Sequence, residues 1–225
     1  MLQVTTPAAD RQLLSMAELR TAAKTTSRAD DANLKLVGLQ IANAIAGICK
    51  VVSSGGNIPT LRKETLTETF RLASPGDPIV GGAFRFTRHS FTTCETITLS
   101  RRPILSIASV TEWGCVLDPC QYEVDSGAGT ITRLYHDRYG HWRPGKIVVV
   151  YDGGWDTVPD DLKLAAIRGL QKIWFTDLKD PLLRSKTIPG VITKDYWNPQ
   201  VSGVITQALP DDVVMMLRPY TNYTV

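Results

Sequence analysis

The chain is poor in the residues that export, membrane insertion and most catalysis require. It has three histidines and four cysteines in 225 residues. No basic segment followed by an apolar run stands at its start, so a secretory route is not indicated. A chain of this size can bury a sizeable core without covalent help, so Cys49, Cys94, Cys115 and Cys120 are expected as reduced thiols. Long hydrophobic runs are missing too. The most apolar stretch, residues 34–52, is broken by Lys35, Gln40, Asn43 and Lys50, which argues against a membrane-spanning helix. Neither sign of charge dominates: 25 basic against 22 acidic residues leave a formal charge of +3, too small an excess to indicate nucleic-acid binding by itself. There is no Gly-x-Ser-x-Gly elbow and no Gly-x4-Gly-Lys-Ser/Thr phosphate loop, and His89, His136 and His141 stand in no base motif. An enzyme reading therefore lacks a nucleophile and a base, and no cofactor is expected.

What the chain does have is 43% apolar and 21% charged residues, ordinary values for a folded globular protein. Its most informative stretch is residues 146–177. Lys146-Ile-Val-Val-Val-Tyr151 is a β-branched and aromatic run suited to a packed strand. Gly153 and Gly154 allow a reversal. Pro159 suits a first helical turn, and Asp160 and Asp161 complement the positive end of the helix that follows.

Upstream, residues 1–14 read as an irregular arm. Ser15-Met-Ala-Glu18 is a capping box that opens a short helix to about Lys24. Ser27-Arg-Ala-Asp30 opens a longer one, whose Leu34, Val37, Ile41, Ile45 and Ile48 share one face. From Thr65 to Tyr151 the period changes to two, with strands expected at 65–72, 84–89, 95–100, 104–113, 121–124, 130–135 and 146–151. A helix over 159–177 buries Leu162, Ala165, Ala166, Leu170, Ile173 and Trp174. Residues 183–208 read as a long loop or extended hairpin. Leu209-Pro-Asp-Asp opens a last short helix through Leu217, followed by a tail. The expected fold is α+β: a small bundle of two N-terminal and two C-terminal helices (1–57 and 152–225) with an inserted antiparallel sheet or small barrel (58–151).

Four groups of residues invite a functional reading. Cys115-x4-Cys120 and His136-x4-His141 approach zinc-finger spacing, but the intervening segment reads as a hairpin and not as a helix presenting both histidines, so a plain turn is favoured. Arg85, Arg88, Arg101 and Arg102 form a loose basic set on strand ends. It suits phosphates or, as the blander and favoured alternative, a solvated sheet edge. Arg184, Lys186, Lys194, Tyr196 and Trp197 place aromatic and basic groups on one long segment, a composition typical of partner contacts; the equal alternative is that Trp197 folds back onto the helical layer. The C-terminal residues Arg218, Tyr220, Tyr223 and Val225 have the same character. The acidic pairs Asp160-Asp161 and Asp211-Asp212 are explained by helix starts.

Taken in order, these pieces resemble the head–tail connector, or neck adaptor, proteins of tailed double-stranded DNA bacteriophages. The resemblance runs through Leu14-Ser-Met-Ala-Glu-Leu-Arg20, Asp30-Asp31, Glu68-Thr-Phe-Arg71, Leu99-Ser-Arg-Arg-Pro103 and Ile107-Ala-Ser-Val110. It continues through Lys146-Ile-Val-Val-Val-Tyr151, Asp152-Gly-Gly-Trp155, Val158-Pro-Asp-Asp-Leu-Lys163, Leu209-Pro-Asp-Asp-Val213 and Arg218-Pro-Tyr220, and so covers most of the chain. It implies a virion protein of the neck, assembled in the host cytoplasm and without catalytic activity. Copies would form a ring, typically dodecameric, that docks on the portal, meets a stopper or tail-completion protein, and lets DNA pass without specific binding. The C-terminal residues 217–225 are implied as portal-docking, with the 186–197 segment as a second contact. The stretch 75–93 is longer than the resemblance implies for small family members. A small DNA-binding module using the basic set is the alternative function.

Overall fold

Local chemistry accounts for the helix boundaries. In the computed structural model, which describes residues 1–54, 56–72, 95–177, 185–188, 192–195 and 209–222, Ser15 caps helix α1 (Met16–Ala23) through its hydroxyl, which accepts from the Glu18 amide at 3.3 Å. The Glu18 carboxylate accepts in return from the Ser15 amide at 2.7 Å. Two amide donors at the helix start are thus satisfied reciprocally. Lys24, in the left-handed region at φ 54°, ends the helix. Ser27 caps a single tight turn, Arg28–Asp30, that leads into α2 (Asp31–Ile48). Helix α3 (Asp160–Asp177) follows Pro159, and α4 (Asp211–Leu217) follows Pro210.

The chain divides into two compact units. The helical unit comprises Asp10–Lys50 and Thr157–Tyr223. Within it α3 packs against α1, α2 and α4. Its core is the face expected from the helical period: Leu34, Val37, Ile41 and Ile45 of α2 with Leu162, Ala165, Ala166 and Leu170 of α3. Leu19, Leu209, Val213 and Leu217 complete it, and each fully buried leucine contributes about 1.5–3 kcal/mol. Ile173 and Trp174 are only half-buried. Gly38 lets helices approach closely, since a Cβ there would meet the Leu19 side chain at 3.2 Å. The segment read as a loop or hairpin contains antiparallel strands β10 (Ser185–Ile188) and β11 (Ile192–Asp195).

The β unit comprises Met1–Ala9 and Val51–Asp156. Residues 2–6, expected in an irregular arm, form strand β1 (Leu2–Thr6), paired antiparallel with β2 (Glu64–Leu72). The next elements are β3 (Thr96–Thr98), β4 (Ile104–Glu112), β5 (Cys115–Val116), β6 (Tyr122–Asp125), β7 (Thr130–Tyr135), β8 (Arg138–Tyr139) and β9 (Gly145–Gly153). One antiparallel sheet has the order β1-β2-β9-β4-β5. The other has the order β3-β7-β6, with β8 beside β7. Among the described residues both remain open, so the small-barrel alternative does not hold: β1 and β5 end one sheet without closing it. The strand expected at 95–100 shrinks to three residues, and the one expected at 84–89 lies outside the described residues.

Alternation decides which residues enter the core of this unit. On β9, Ile147, Val149 and Tyr151 are buried, while Lys146, Val148 and Val150 face the other way. Leu66, Val110, Ile97 and Ile131 join them, so both sheets contribute to one apolar cluster, with Leu99, Ile104 and Trp142.

Candidate functional site

The β unit buries more charge than its composition suggests. Glu64 and Glu68 lie on the inward face of β2, each 4% exposed. They are met by the loop before β4. Arg101, 2% exposed, donates to Glu64 Oε2 at 2.8 Å, to the Thr60 carbonyl at 2.6 Å and to the Val52 carbonyl at 3.4 Å. Glu68 accepts from the Ser100 amide at 3.0 Å, from the Ser100 hydroxyl, and from the Tyr151 hydroxyl at 3.1 Å. The Arg101 amide donates to that same tyrosine oxygen at 3.2 Å. Burial pulls the Arg101 guanidinium below its ordinary range, opposed by the neighbouring Glu64 charge. Burial, and then the Glu68 carboxylate, push the Tyr151 phenol up. The arrangement fastens the chain entering the unit to its sheet. Close by, the chain leaving the unit is pinned by the Trp155 amide donating to the Leu61 carbonyl at 2.8 Å.

A second buried pair stands between the sheets. Arg133 Nη2 lies 3.3 Å from Glu112 Oε2, with each side chain 4% exposed. The same guanidinium donates to the carbonyls of Gln121 and Leu134 at 2.6 and 2.8 Å and stacks over the Tyr135 ring at 4.4 Å. Neither network lines the two surface clefts described below. Their donors and acceptors are used to hold loops.

The four groups singled out in the sequence have different fates. Cys115 and Cys120 are free and exposed, on β5 and on the turn before β6. His136 sits in the β7–β8 turn at φ 50°, and His141 lies 3.7 Å from Glu95. Among the described residues no three histidine, cysteine or acidic side chains converge as a metal site would require. Of the basic set, Arg85 and Arg88 lie outside the described residues. Arg101 is withdrawn from solvent by its pair with Glu64, which corrects the expectation of a phosphate-facing or solvated-edge arginine. Arg102 is half-buried.

In the long segment before α4, Lys186 and Lys194 occupy opposed positions of the β10–β11 register. Arg184, Tyr196 and Trp197 lie outside the described residues, as does the 75–93 stretch. At the C-terminus Leu217 is fully buried, so it serves the helical core. Arg218 is exposed, and Tyr220 is half-buried and donates its hydroxyl to Asp161 Oδ1 at 2.5 Å. Burial, and then that hydrogen bond, push the Tyr220 phenol up. The Asn222 amide donates to the Cys49 carbonyl at 2.9 Å. The supposed free tail is therefore tied to α2 and α3 as far as Asn222, and Tyr223 and Val225 lie outside the described residues.

Sequence reasoning missed three surface features of the β unit. A cleft of about 680 Å³ is lined by Glu95, Glu123, Asp125, Thr130, Thr132 and Tyr139. A smaller notch of about 340 Å³ is formed by Met1, Thr69, Arg71 and Lys146. Trp113, at the β4–β5 turn, is 66% exposed and rests its indole against Gly145. The alternation of β2, β6 and β9 was a usable signal for the charged positions, but not for which strands would be neighbours.

Searches against protein-family models and curated proteins return no match. Among solved structures, a chain from the neck of an empty gene transfer agent particle, computed with C6 symmetry, aligns with 100% of this chain and 97% of that one. Its TM-score is 0.53 at 14% sequence identity. A chain from the virion of the native gene transfer agent particle covers 84% of this chain and 89% of that one, with a TM-score of 0.49 and 16% identity. A chain from the neck of the native particle, computed with C12 symmetry, covers 100% and 97%, with a TM-score of 0.48 and 14% identity. The first of these likenesses shows a fold shared along the full length of both chains.

Proposed function

We propose that this chain is a structural protein of the neck of a tailed-phage-like particle. Its copies form an adaptor ring, dodecameric by the resemblance described above, that joins the portal to a stopper or tail-completion protein and continues the channel for DNA. It assembles in the host cytoplasm and performs no chemistry of its own. The observation that carries this reading is the full-length match in fold to a chain from a neck computed with C6 symmetry. The sequence resemblance to neck adaptors points the same way independently of that match.

The burial of Arg101 supports the structural reading over a DNA-binding module, because it takes an arginine out of the basic set and commits it to holding the sheet's entry loop. For portal docking the exposed Arg218, the half-buried Tyr220, and Tyr223 and Val225 beyond the Asn222 tie are the C-terminal candidates. Arg184, Lys186, Lys194, Tyr196 and Trp197 form a second contact. Leu217 is dropped from the contact set because it is needed in the core.

Co-sedimentation with purified portal tests this. The full chain binds. A chain ending at Asn222 keeps the Tyr220–Asp161 and Asn222–Cys49 hydrogen bonds, so it retains its fold and loses most portal affinity. Normal binding by the shortened chain overturns the assignment of Tyr223 and Val225, and normal binding by full-length Arg218→Ala with Tyr220→Phe overturns the rest. Absence of binding by the full chain overturns the adaptor reading.

A further inference from the structure

Among its described residues the β unit carries two surfaces of opposite charge that are not neutralised within the unit. Arg71 and Lys146 are directly opposite in the β2–β9 register, and both are exposed. Like charges at directly opposed positions repel, and among the described residues neither is paired with a carboxylate. They line the notch formed with Met1 and Thr69. Trp113 stands beside them, its amide donating to the Lys146 carbonyl at 3.2 Å.

On the other sheet, Glu123 and Asp125 of β6 lie opposite Thr132 and Thr130 of β7, and Glu95 precedes β3. These three acidic residues line the larger cleft, rimmed by Tyr139, which is 72% exposed. Asp125 also holds its turn by accepting from the Ala128 amide at 2.8 Å. Among the described residues the one ion pair these three make is between Glu95 and His141, 3.7 Å apart, and His141 is charged only when protonated.

We propose that these are the two halves of a contact between copies: the Arg71/Lys146 notch of one chain, with Trp113 alongside, docks on the Glu95/Glu123/Asp125 cleft of the next. The inference rests on the ring-forming reading above and assigns its surfaces. Two different patches on one unit, each complementary to the other, produce the head-to-tail contact from which rings close. Charge complementarity favours a second copy over nucleic acid. A duplex contact would need more phosphate-facing cations than Arg71, Lys146 and the Met1 ammonium, which line this notch, and the acidic cleft would repel it. The exposed Trp113 and Tyr139 are the type of side chain that anchors such contacts.

Charge reversal on the full chain tests the assignment by sedimentation velocity at low and high salt. Arg71→Glu with Lys146→Glu reverses the notch. Glu95→Lys with Glu123→Lys reverses the cleft, and Asp125 is left in place because it holds a turn. All four positions are exposed, so the unfolding midpoint is expected to match the parent. The parent assembles, and less tightly at high salt. Each reversed variant alone self-associates about tenfold more weakly or worse. An equimolar mixture of the two recovers assembly, because the reversed notch of one fits the reversed cleft of the other. If either variant assembles as tightly as the parent, the surfaces are misassigned and the ring reading stands. If both weaken and mixing restores nothing, the pairing is wrong. If notch reversal removes duplex DNA binding but leaves assembly intact, the notch is a nucleic-acid site. A parent that stays monomeric even with portal present at low salt overturns the ring itself, and this pairing with it.

Discussion

Arg101 offers the sharpest test of how the β unit is held together. The guanidinium is 2% exposed and faces Glu64, itself 4% exposed. Truncation by Arg101→Ala takes the guanidinium away from that buried carboxylate, which costs about 3–5 kcal/mol. The Thr60 carbonyl loses its 2.6 Å donor as well, which adds on the order of 1 kcal/mol. A domain of this size has about 5–15 kcal/mol of stability in all, so the single change brings the β unit close to unfolding. The companion change separates lost charge balance from lost packing. Arg101→Met with Glu64→Leu removes both charges and keeps most of the volume, so it is expected to recover all but about 1–2 kcal/mol. Urea unfolding followed by circular dichroism gives the totals, and amide hydrogen exchange across 60–72 and 145–153 assigns the loss to this unit. A truncation costing under about 1 kcal/mol, or a double variant no better than the single one, refutes the reasoning.

Three further outcomes follow from local geometry. Backbone donation from Ser15, and then the Lys163 ammonium at 2.9 Å, hold the Glu18 carboxyl below its usual range. A depressed folded value gives stability that is complete above the ordinary carboxylate pKa and is lost as pH falls through the lowered one. Acid unfolding of the helical unit below about pH 4 is therefore less steep in Glu18→Gln, which keeps the capping acceptor but not the charge; an unchanged acid limb contradicts this. Gly154 stands at φ +102°, where a Cβ would lie 2.6 Å from the Arg62 carbonyl oxygen, whereas Gly47 has open space around it. Gly154→Ala is expected to destabilise by about 1–3 kcal/mol and Gly47→Ala to stabilise by about 0.5–1 kcal/mol, both read from urea midpoints.

The helices were legible because their signals are local. Ser15 and Glu18 satisfy each other's neighbours within one turn, and the stripe from Leu34 to Ile45 needs only the 3.6-residue period to be seen. Strands β7 and β9 were legible from alternation. Strand β1 was not, because Leu2 and Val4 become meaningful only when β2, sixty residues away, supplies their partner. The same distance hid the role of Arg101. An Arg-Arg-Pro sequence reads as surface until Glu64 and Glu68, on a strand more than thirty residues earlier, are placed beneath it. The tail was misjudged in a similar way, since nothing in residues 218–222 announces that Asp161 and Cys49 wait for Tyr220 and Asn222. The opposed charges of Arg71 and Lys146 also required the pairing of β2 with β9.

The central claim is that this chain acts as one copy of a neck ring. Electron-microscopic class averages of the purified protein mixed with portal test it most directly. The account predicts closed rings stacked coaxially on one end of the portal, with an open channel through both. Single unassembled copies at every protein and salt concentration, with the portal bare, would contradict it.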